Sequence, residues 1–431
     1  MARNINRRNV IKGISASGFA GLTGLAGCIG GSGGSDSPDV VNIIGYPEDG
    51  IQLFKDFYET ASEDQQVIVP DGLKSSDLAA NVGHDLSSVL GTAPAAGGPN
   101  QEAYTQMYED EYGSSPGVFT AQSYDSVAIQ ILANAAAGDN SGQAIRDQMR
   151  RMANPGGMEV GPENFVEGVE AAANGDDIDF KGASSSVNFD QAGDPASAAY
   201  DIWEFTDEGT ENVDTQTFEG DNPEGAGSMA DSGPGGMGRT IKVGILLPST
   251  GALAPVGEQM INAAQIPAMQ VNDSDVDLEV DTQVEDTATD SSTGVSRAET
   301  LVNAGYPSIC GSASSGVNVP VCKNVLIPNN VVGCSPSSTA LSVTSLDDDD
   351  FIFRTAPSDK FQGPFMGRVA ADHQDASTAS TLYVNNDYGE QLSNAFAETF
   401  ESEHDGEVWN QVAFNQGQSS YTSKIENALS E

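Results

Sequence analysis

Short runs of β-branched and aliphatic residues alternate with helix-length amphipathic segments along most of this 431-residue chain. In the second half, strand-like runs over Ile241–Pro248 and Leu278–Glu285 enclose a helix-like stretch that begins near Gly257. This alternation is typical of parallel sheets covered by helices on both faces. The sequence therefore predicts an α/β protein, and the chain is long enough for two lobes that each have a core.

The same alternation occupies the first half of the chain. Its segments are strand-like runs over Asp39–Gly45 and Val67–Pro70, then helix-like stretches over Gln101–Tyr112, Ala121–Ala137 and Gly142–Ala153. No segment repeats another, which argues against a tandem duplication. Between the halves, residues 220–238 are rich in glycine and have no periodicity, so we expect a flexible linker there.

The chain is strongly acidic, with 63 Asp and Glu against 18 Lys and Arg and a formal charge of −45. The acids are spread along the whole chain, which suits a protein kept hydrated in concentrated salt. Nucleic acid is excluded as a partner, because a phosphate-binding surface needs clustered Lys and Arg. The sequence has no dinucleotide fingerprint, P-loop or nucleophile elbow, so we expect neither an enzyme nor a cofactor.

The first 28 residues have the features of an export signal. Arg7 and Arg8 resemble a twin-arginine motif, and a Gly- and Ala-rich stretch follows. The run Leu25–Cys28 (LAGC) resembles a lipobox, in which Cys28 becomes the first mature residue and carries a lipid anchor. The alternative is an ordinary buried helix with a chance cysteine. Residues 29–37 are rich in Gly and Ser and predict a tether.

The other cysteines, Cys310, Cys322 and Cys334, do not have the spacing of a zinc site, so we expect no metal. Three cysteines cannot all pair within one chain. The sequence leaves open whether two of them form a disulfide.

Short motifs in the two halves form one ordered set. In the second half they are Ile241–Gly251, Gly311–Gly316 (GSASSG), Cys334–Leu341 (CSPSSTAL), Phe353–Asp359 (FRTAPSD) and Leu382–Gly389 (LYVNNDYG). In the first half they are Pro38–Glu48, Val69–Gly72 (VPDG), Gly91–Pro94 (GTAP), Tyr124 with Asp125, and Val187–Asp190 (VNFD). The set resembles the leucine/isoleucine/valine-binding family of type I periplasmic binding proteins, with the second half of the chain carrying the family's first motifs.

This resemblance implies a circularly permuted two-lobe fold, in which each lobe is a parallel sheet flanked by helices. Such a rearrangement is tolerable where the old ends are joined by a loop and the new break lies in an exposed connection. The implied divisions are a signal over 1–28, a tether over 29–37, lobe 2 segments over 38–96, 179–218 and 356–431, lobe 1 segments over 97–178 and 239–355, and a linker over 219–238.

The resemblance also implies a ligand site between the lobes, at the carboxyl ends of the parallel strands. Ser315 and Thr339 match loop positions that hold a ligand carboxylate, and Ser337 and Ser338 are neighbours that offer further contacts. Short hydroxyls beside helix-start amides make a good anion cradle. Helix capping is the alternative role for these side chains.

The other implied site residues belong to lobe 2. Tyr46 and Tyr388 match aromatic positions that close over the ligand, although either residue could instead pack in the hinge. Asp71 matches the acid that receives the ligand's ammonium, because an ammonium buried without a countercharge is costly. An Asp before Gly is also common in turns. Val256 departs from the family pattern, which often has an aromatic residue there.

The function implied by the resemblance is binding of a branched-chain amino acid or an analogue for an ABC importer. We expect a monomer of haloarchaeal origin, lipid-anchored at the outer face of the cytoplasmic membrane, whose partners are the small ligand and a membrane permease. A ligand-sensing receptor of the same fold, for amides, urea-like compounds or small aromatic acids, is the alternative. An amide hydrolase is disfavoured because no His or Lys lies near the candidate serines in sequence.

Overall fold

Two sheets flanked by helices make up most of the part of the chain that the structure describes. This structure, a computed structural model, describes residues 37–431 except 63, 208, 221–222, 224–230 and 234. The predicted export signal, Cys28 and the tether up to residue 36 lie outside the described residues. Contacts between Cα atoms group Asp36–Glu431 into one compact unit.

The strands and helices follow one another in the alternating order that the sequence predicts. The strands are β1 (Val40–Ile44), β2 (Gln66–Val69), β3 (Leu90–Pro94), β4 (Met158–Val160), β5 (Ile178–Phe180), β6 (Ser197–Thr206), β7 (Gly209–Glu219), β8 (Arg239–Leu247), β9 (Leu278–Asp286), β10 (Ser308–Gly311), β11 (Val332–Ser335), β12 (Ile352–Arg354), β13 (Thr378–Val384) and β14 (Glu407–Phe414). The helices are α1 (Pro47–Thr60), α2 (Leu78–Val82), α3 (Gln101–Tyr112), α4 (Thr120–Ala137), α5 (Gly142–Ala153), α6 (Phe165–Ala173), α7 (Ala254–Asn272), α8 (Ser291–Asn303), α9 (Ser315–Val321), α10 (Leu341–Thr344), α11 (Asp359–His373), α12 (Asp387–Glu403) and α13 (Thr422–Leu429).

The larger sheet has seven strands in the order β14-β13-β1-β2-β3-β6-β7. The first five are parallel, and β1 is a run of five residues (VVNII) that are all buried. A continuous buried run of this kind is what a central parallel strand requires. Helices α11 and α12 pack against each other beside this sheet, as do α1 and α13.

The smaller sheet has five parallel strands in the order β12-β11-β10-β8-β9. Helix α4, which is buried along its whole length, packs against β8, β10 and β11 and against α7. Two separate segments of the chain therefore build this part of the fold. The first contributes helices α4 and α5, and the second contributes strands β8–β12. Strands β4 and β5 form a separate parallel pair.

The two sheets have the same strand order when the larger one is counted from β13. Counted as β13, β14, β1, β2 and β3, its parallel strands lie in the order 2-1-3-4-5, and so do β8–β12 in the smaller sheet. This is a common doubly wound order, with ligands bound where the winding reverses, between strands 1 and 3. The reversal lies between β13 and β1 in one sheet and between β8 and β10 in the other.

The permutation that the resemblance implies requires Asp39–Gly45 to share a sheet with Thr381–Asn385, and the structure shows this pairing. Val40 is paired with Ala379 and Ile44 with Tyr383 in a parallel register. The carboxylate of Asp39 fixes the start of this pairing, since Asp39 Oδ2 accepts bonds from the backbone N–H groups of Ser377 and Thr378 at 2.9 and 3.0 Å.

Two features differ from the alternation read in the sequence. Strands β6 and β7 are antiparallel and extend the edge of the larger sheet, so that sheet is mixed rather than purely parallel. In the glycine-rich segment, the N–H groups of Gly235, Gly236 and Gly238 donate to the carbonyls of Ala136, Ala173 and Asp277. These three linker residues therefore pack on the protein, because their backbone hydrogen bonds fix them against α4, α6 and the start of β9.

The three cysteines within the described residues are buried and unbonded to one another. Cys310 and Cys334 are register neighbours on β10 and β11. Burial raises the pKa of each thiol above its usual range. Among residues 37–431, as far as they are described, no helix is both long and apolar enough to cross a membrane.

Candidate functional site

The loops that follow the parallel strands of both sheets meet at one pocket. From the larger sheet, Tyr46 follows β1, Asp71 follows β2 and Tyr388 follows β13. From the smaller sheet, Ser315 follows β10 and the segment Ser337–Thr339 follows β11. The pocket therefore lies at the carboxyl ends of the strands, beside the points where the winding of both sheets reverses.

The pocket has a cavity volume of only about 30 Å³, below the roughly 300–1,000 Å³ of typical small-molecule sites, so a ligand can enter only if the walls move apart. Its walls include five of the seven residues predicted to bind ligand, together with a set of mainly apolar residues. The lining consists of Tyr46, Asp71, Gly72, Val118, Phe119, Leu253, Val256, Met260, Ala313, Ser314, Ser315, Ser337 and Tyr388. The two remaining predicted residues, Ser338 and Thr339, are buried and do not line the pocket.

Tyr46 and Tyr388 form the aromatic part of the wall. Their rings are stacked with centroids 5.7 Å apart and an interplanar angle of 12°. The hydroxyl of Tyr46 lies 2.8 Å from the Ser314 Oγ atom, so it joins the loop after β1 to the loop after β10. Burial raises the pKa of both phenols, which keeps them neutral.

The hydroxyl proton of Ser315 is not used in a hydrogen bond among the described residues. Its Oγ atom accepts a bond from the backbone N–H of Ala340 at 3.2 Å and one from the Ser338 hydroxyl at 3.2 Å. A hydroxyl has two acceptor positions and one donor, so the O–H of Ser315 is left to donate. Ser338 therefore orients Ser315 rather than lining the pocket itself.

Thr339 and Ser337 complete the hydroxyl cluster. The Thr339 Oγ1 atom is buried and has no hydrogen-bond partner within the described part of the chain. The Ser337 Oγ atom donates to the carbonyl of Ala313 at 3.3 Å. An unmet buried hydroxyl is costly, so Thr339 is available to a further polar group.

Asp71 supplies the negative charge of the pocket. It is 4% exposed and begins a single 3₁₀ turn, Asp71–Leu73. The Tyr388 hydroxyl donates to Asp71 Oδ1 at 3.4 Å and also accepts from the backbone N–H of Gly72 at 3.2 Å. A Cβ atom on Gly72 would lie 2.4 Å from the carbonyl oxygen of Gly45, so this close approach requires glycine. Burial raises the pKa of Asp71 to about 6, against the opposing effect of its hydrogen bonds.

The apolar wall was not identified from the sequence, apart from Val256. Val118, Phe119, Leu253 and Met260 line the pocket as well. Phe119 precedes α4 with a φ of 61°, a left-handed conformation that is uncommon for a bulky residue and frequent at functional sites. Pocket-lining apolar residues resemble core residues in a sequence, so no signal distinguished them.

The wall of the pocket combines three kinds of group. Hydroxyl donors come from the smaller sheet, a carboxylate comes from the larger sheet, and apolar side chains fill part of the remaining wall. A carboxylate needs donors and an ammonium needs an acceptor when both are removed from water.

Residues 240–431 match the family described as "Periplasmic binding protein". The chain is 28% identical over 164 residues to the leucine-, isoleucine-, valine-, threonine-, and alanine-binding protein of Pseudomonas aeruginosa, a match that covers 38% of this chain and 43% of that protein. It is 31% identical over 175 residues to the chemotactic signal transduction system substrate-binding protein BasB of Halobacterium salinarum, covering 37% of this chain and 41% of BasB. The matches thus span less than half the length of these relatives.

Among solved structures, the chain is similar to a leucine binding protein, LivK, from Thermotoga maritima, with a TM-score of 0.40 and 24% identity over 43% of this chain and 52% of that one. Over residues 240–431, this chain matches the periplasmic binding protein family, and leucine/isoleucine/valine-binding proteins are among its relatives.

Proposed function

We propose that this protein is an extracytoplasmic binding protein that delivers an α-amino acid of the branched-chain type, or a close analogue, to an ABC importer. In this proposal Cys28 carries a lipid that anchors the protein at the membrane surface, and the organism is a halophilic archaeon. The observation that carries the proposal is the pocket itself, which combines hydroxyl donors, one buried carboxylate and an apolar wall between two sheets.

In the proposed complex, Ser315 donates to the ligand carboxylate and Asp71 accepts from the ammonium. Thr339, which is buried outside the lining of the empty pocket, would have to turn toward the ligand to donate to the carboxylate as well. Ser315 has a free proton, and the Thr339 hydroxyl has no partner among the described residues. Asp71 is ionised at neutral pH, since its pKa of about 6 lies below that value. Phe119, Leu253, Val256 and Met260 would contact the ligand side chain, and Tyr46 and Tyr388 would close over it.

The first test is a panel of ligands titrated into the protein by calorimetry in high-salt buffer. L-leucine, L-isoleucine and L-valine are expected to bind. The matched control, 4-methylpentanoate, has the leucine skeleton and carboxylate but no amino group, and it is expected not to bind because Asp71 then faces no cation. Preferential binding of benzoate, urea or another ligand without an amino group would contradict the amino-acid assignment.

We further propose that the chain is circularly permuted, with lobe 1 formed by 97–178 and 239–355, and lobe 2 by 38–96, 179–218 and 356–431. The shared strand order of the two sheets supports this proposal, because the larger sheet matches the smaller one only when counting starts at β13. In an unpermuted chain the segment near Ser430 would connect to the segment near Asp39. These two segments lie beside β14 and β13, which are neighbours in the larger sheet. The Ser430 carbonyl accepts from Asn410 near the start of β14, and Asp39 is bonded to Thr378 at the start of β13.

A rearranged chain tests the permutation. Residues 239–431 are placed first and joined by a short Gly-Ser link to residues 38–218, which removes the glycine-rich connection between β7 and β8. We expect this chain to bind leucine with unchanged affinity and to unfold in one transition, since every helix still meets its sheet. The control is the natural order with the export signal and tether removed. A rearranged chain that fails to fold, beside a folded control, would contradict the permutation.

A ligand-sensing receptor for the same class of ligand is the second candidate function. The similarity to BasB, which is described as a substrate-binding protein of a chemotactic signal transduction system, favours it. Capture experiments on membranes would distinguish the two functions, since an importer component should co-isolate with a permease and a sensor with a transducer.

A further inference from the structure

A second buried carboxyl group, Asp359, lies behind the pocket. Asp359 is the first residue of α11 and is 0% exposed, and its backbone N–H donates to the Thr339 carbonyl at 2.9 Å. Asp359 is thereby joined to the hydroxyl segment after β11, and it is close enough to Asp71 for the two charges to repel each other.

Neither carboxyl group has a cation of its own among the described residues. Both nearby basic side chains are committed to other acids. Arg354 makes a two-pronged ion pair with Asp194, at 2.5 and 2.7 Å. Lys74 lies 3.8 Å from Asp201 and donates to Asn212 at 2.7 Å.

The oxygen atoms of Asp359 also have no hydrogen-bond partner in the described part of the chain. The same is true of Thr339 Oγ1 and of Gln362 Oε1, one turn further along α11. An ionised carboxylate that is buried without a partner is costly by several kcal/mol, whereas a protonated one brings an O–H donor to a region of unmet acceptors. The empty site therefore favours a proton on this pair of acids.

Burial and the charge of Asp71 both favour the protonated form of Asp359. Burial first, and then the charge of Asp71, raises the pKa of Asp359 to about 8, although the nearby Thr339 hydroxyl, which does not meet hydrogen-bond geometry with Asp359, and the positive charge of Arg354 act to lower it. The other charged or titratable groups that face the pair are three phenols and two further acids with their partner cations: Tyr46, Tyr200, Tyr388, Asp194 with Arg354, and Asp201 with Lys74. Burial raises the pKa of all three phenols, so they stay neutral.

We propose that Asp71 and Asp359 hold one proton as a pair while the cleft is empty, and that a ligand ammonium displaces it. This inference rests on the proposed function. It adds Asp359 as a residue that responds to the charge of the ligand through its interaction with Asp71. When the ammonium reaches Asp71, the O–H bond of Asp359 breaks and its proton leaves to the solvent. The two carboxylates then face one cation, which takes the place of the lost proton.

The proton balance is measured by titrating L-leucine into the full protein near pH 7, in buffers of different ionisation enthalpy. The dependence of the observed enthalpy on the buffer gives the number of protons released. We expect about one proton per leucine for the wild type. The affinity should also rise with pH between about 6 and about 8, by at most about tenfold per pH unit, since proton release is favoured as the proton concentration falls.

Two variants test whether Asp359 is the source of the released proton. Asp359→Asn removes the titrating group, so leucine should still bind but release close to no protons. Asp372→Asn is the matched control, because Asp372 lies on the same helix and is exposed, and it should keep the wild-type proton release. If Asp359→Asn does not fold, the pH dependence of leucine affinity in the wild type still tests the inference.

The failure of this inference can be distinguished from failure of the proposed function. If leucine binds and the enthalpy does not depend on the buffer, the proton-holding pair is overturned and the binding function stands. Release of a full proton by Asp359→Asn would also overturn it. If no amino acid binds, both proposals fail together.

Discussion

Replacement of Asp71 by alanine is expected to weaken binding of an α-amino acid by about 2–5 kcal/mol, the usual cost of removing one partner from a buried charge pair. The loss should be this large because Asp71 is 4% exposed and is the acid that lines the pocket. Among the described residues, no other carboxylate lines that wall. Calorimetric titration in high salt, near pH 7.5, measures the effect.

The matched control for this variant is Asp77→Ala. Asp77 follows Asp71 closely in sequence but is exposed and caps α2 without a side-chain bond, so its loss should leave the affinity unchanged. The folded state of both variants is checked by circular dichroism. Unchanged affinity in Asp71→Ala would show that this residue only shapes the turn before Gly72.

The largest expected effect on stability comes from Arg354→Met. Arg354 and Asp194 are 0% and 1% exposed and form a bidentate ion pair. Methionine leaves Asp194 buried without a cation, which is expected to lower the free energy of unfolding by about 3–5 kcal/mol. Arg354 also donates to the carbonyls of Ser338 and Ala340 at 3.0 and 3.1 Å, so the segment that carries Thr339 should loosen.

Arg297→Met is the control for this second prediction. Arg297 is 51% exposed and lies 3.3 Å from Glu285 on the surface. Exposed pairs contribute little, so the expected change is below about 1 kcal/mol. Equilibrium unfolding in denaturant compares both variants with the wild type. Equal, small losses would mean that the buried pair at Arg354 contributes no more than a surface one.

The parallel strands and long helices were predictable because their residues repeat with a clear period. Helices α3 and α5 begin and end where the sequence pattern predicts, helped by Gly113 in a left-handed conformation after α3 and by the Ser141 cap before α5. The antiparallel strand β7 was not predicted. Most of its residues are exposed, so it lacks the apolar alternation that identifies a half-buried strand.

The site was predictable only in its polar part. The resemblance identified Tyr46, Asp71, Ser315, Ser337 and Tyr388, which the structure brings to one pocket. Their ligand-binding roles stay predictions. Asp359 was not found, because nothing in its sequence neighbourhood shows that both of its oxygens are left without partners. That property depends on Arg354 being committed to Asp194, a residue 160 positions away.

The place of β1 in the larger sheet also affects how the protein can fold during its synthesis. β1 leaves the ribosome well before its neighbour β13, which lies more than 330 residues later in the chain. Until β13 emerges, one edge of β1 has no strand to pair with, and an unpaired apolar edge is prone to aggregation. The larger sheet can therefore be completed only after β13 and β14 have emerged, and a chaperone that covers this edge would protect the nascent chain.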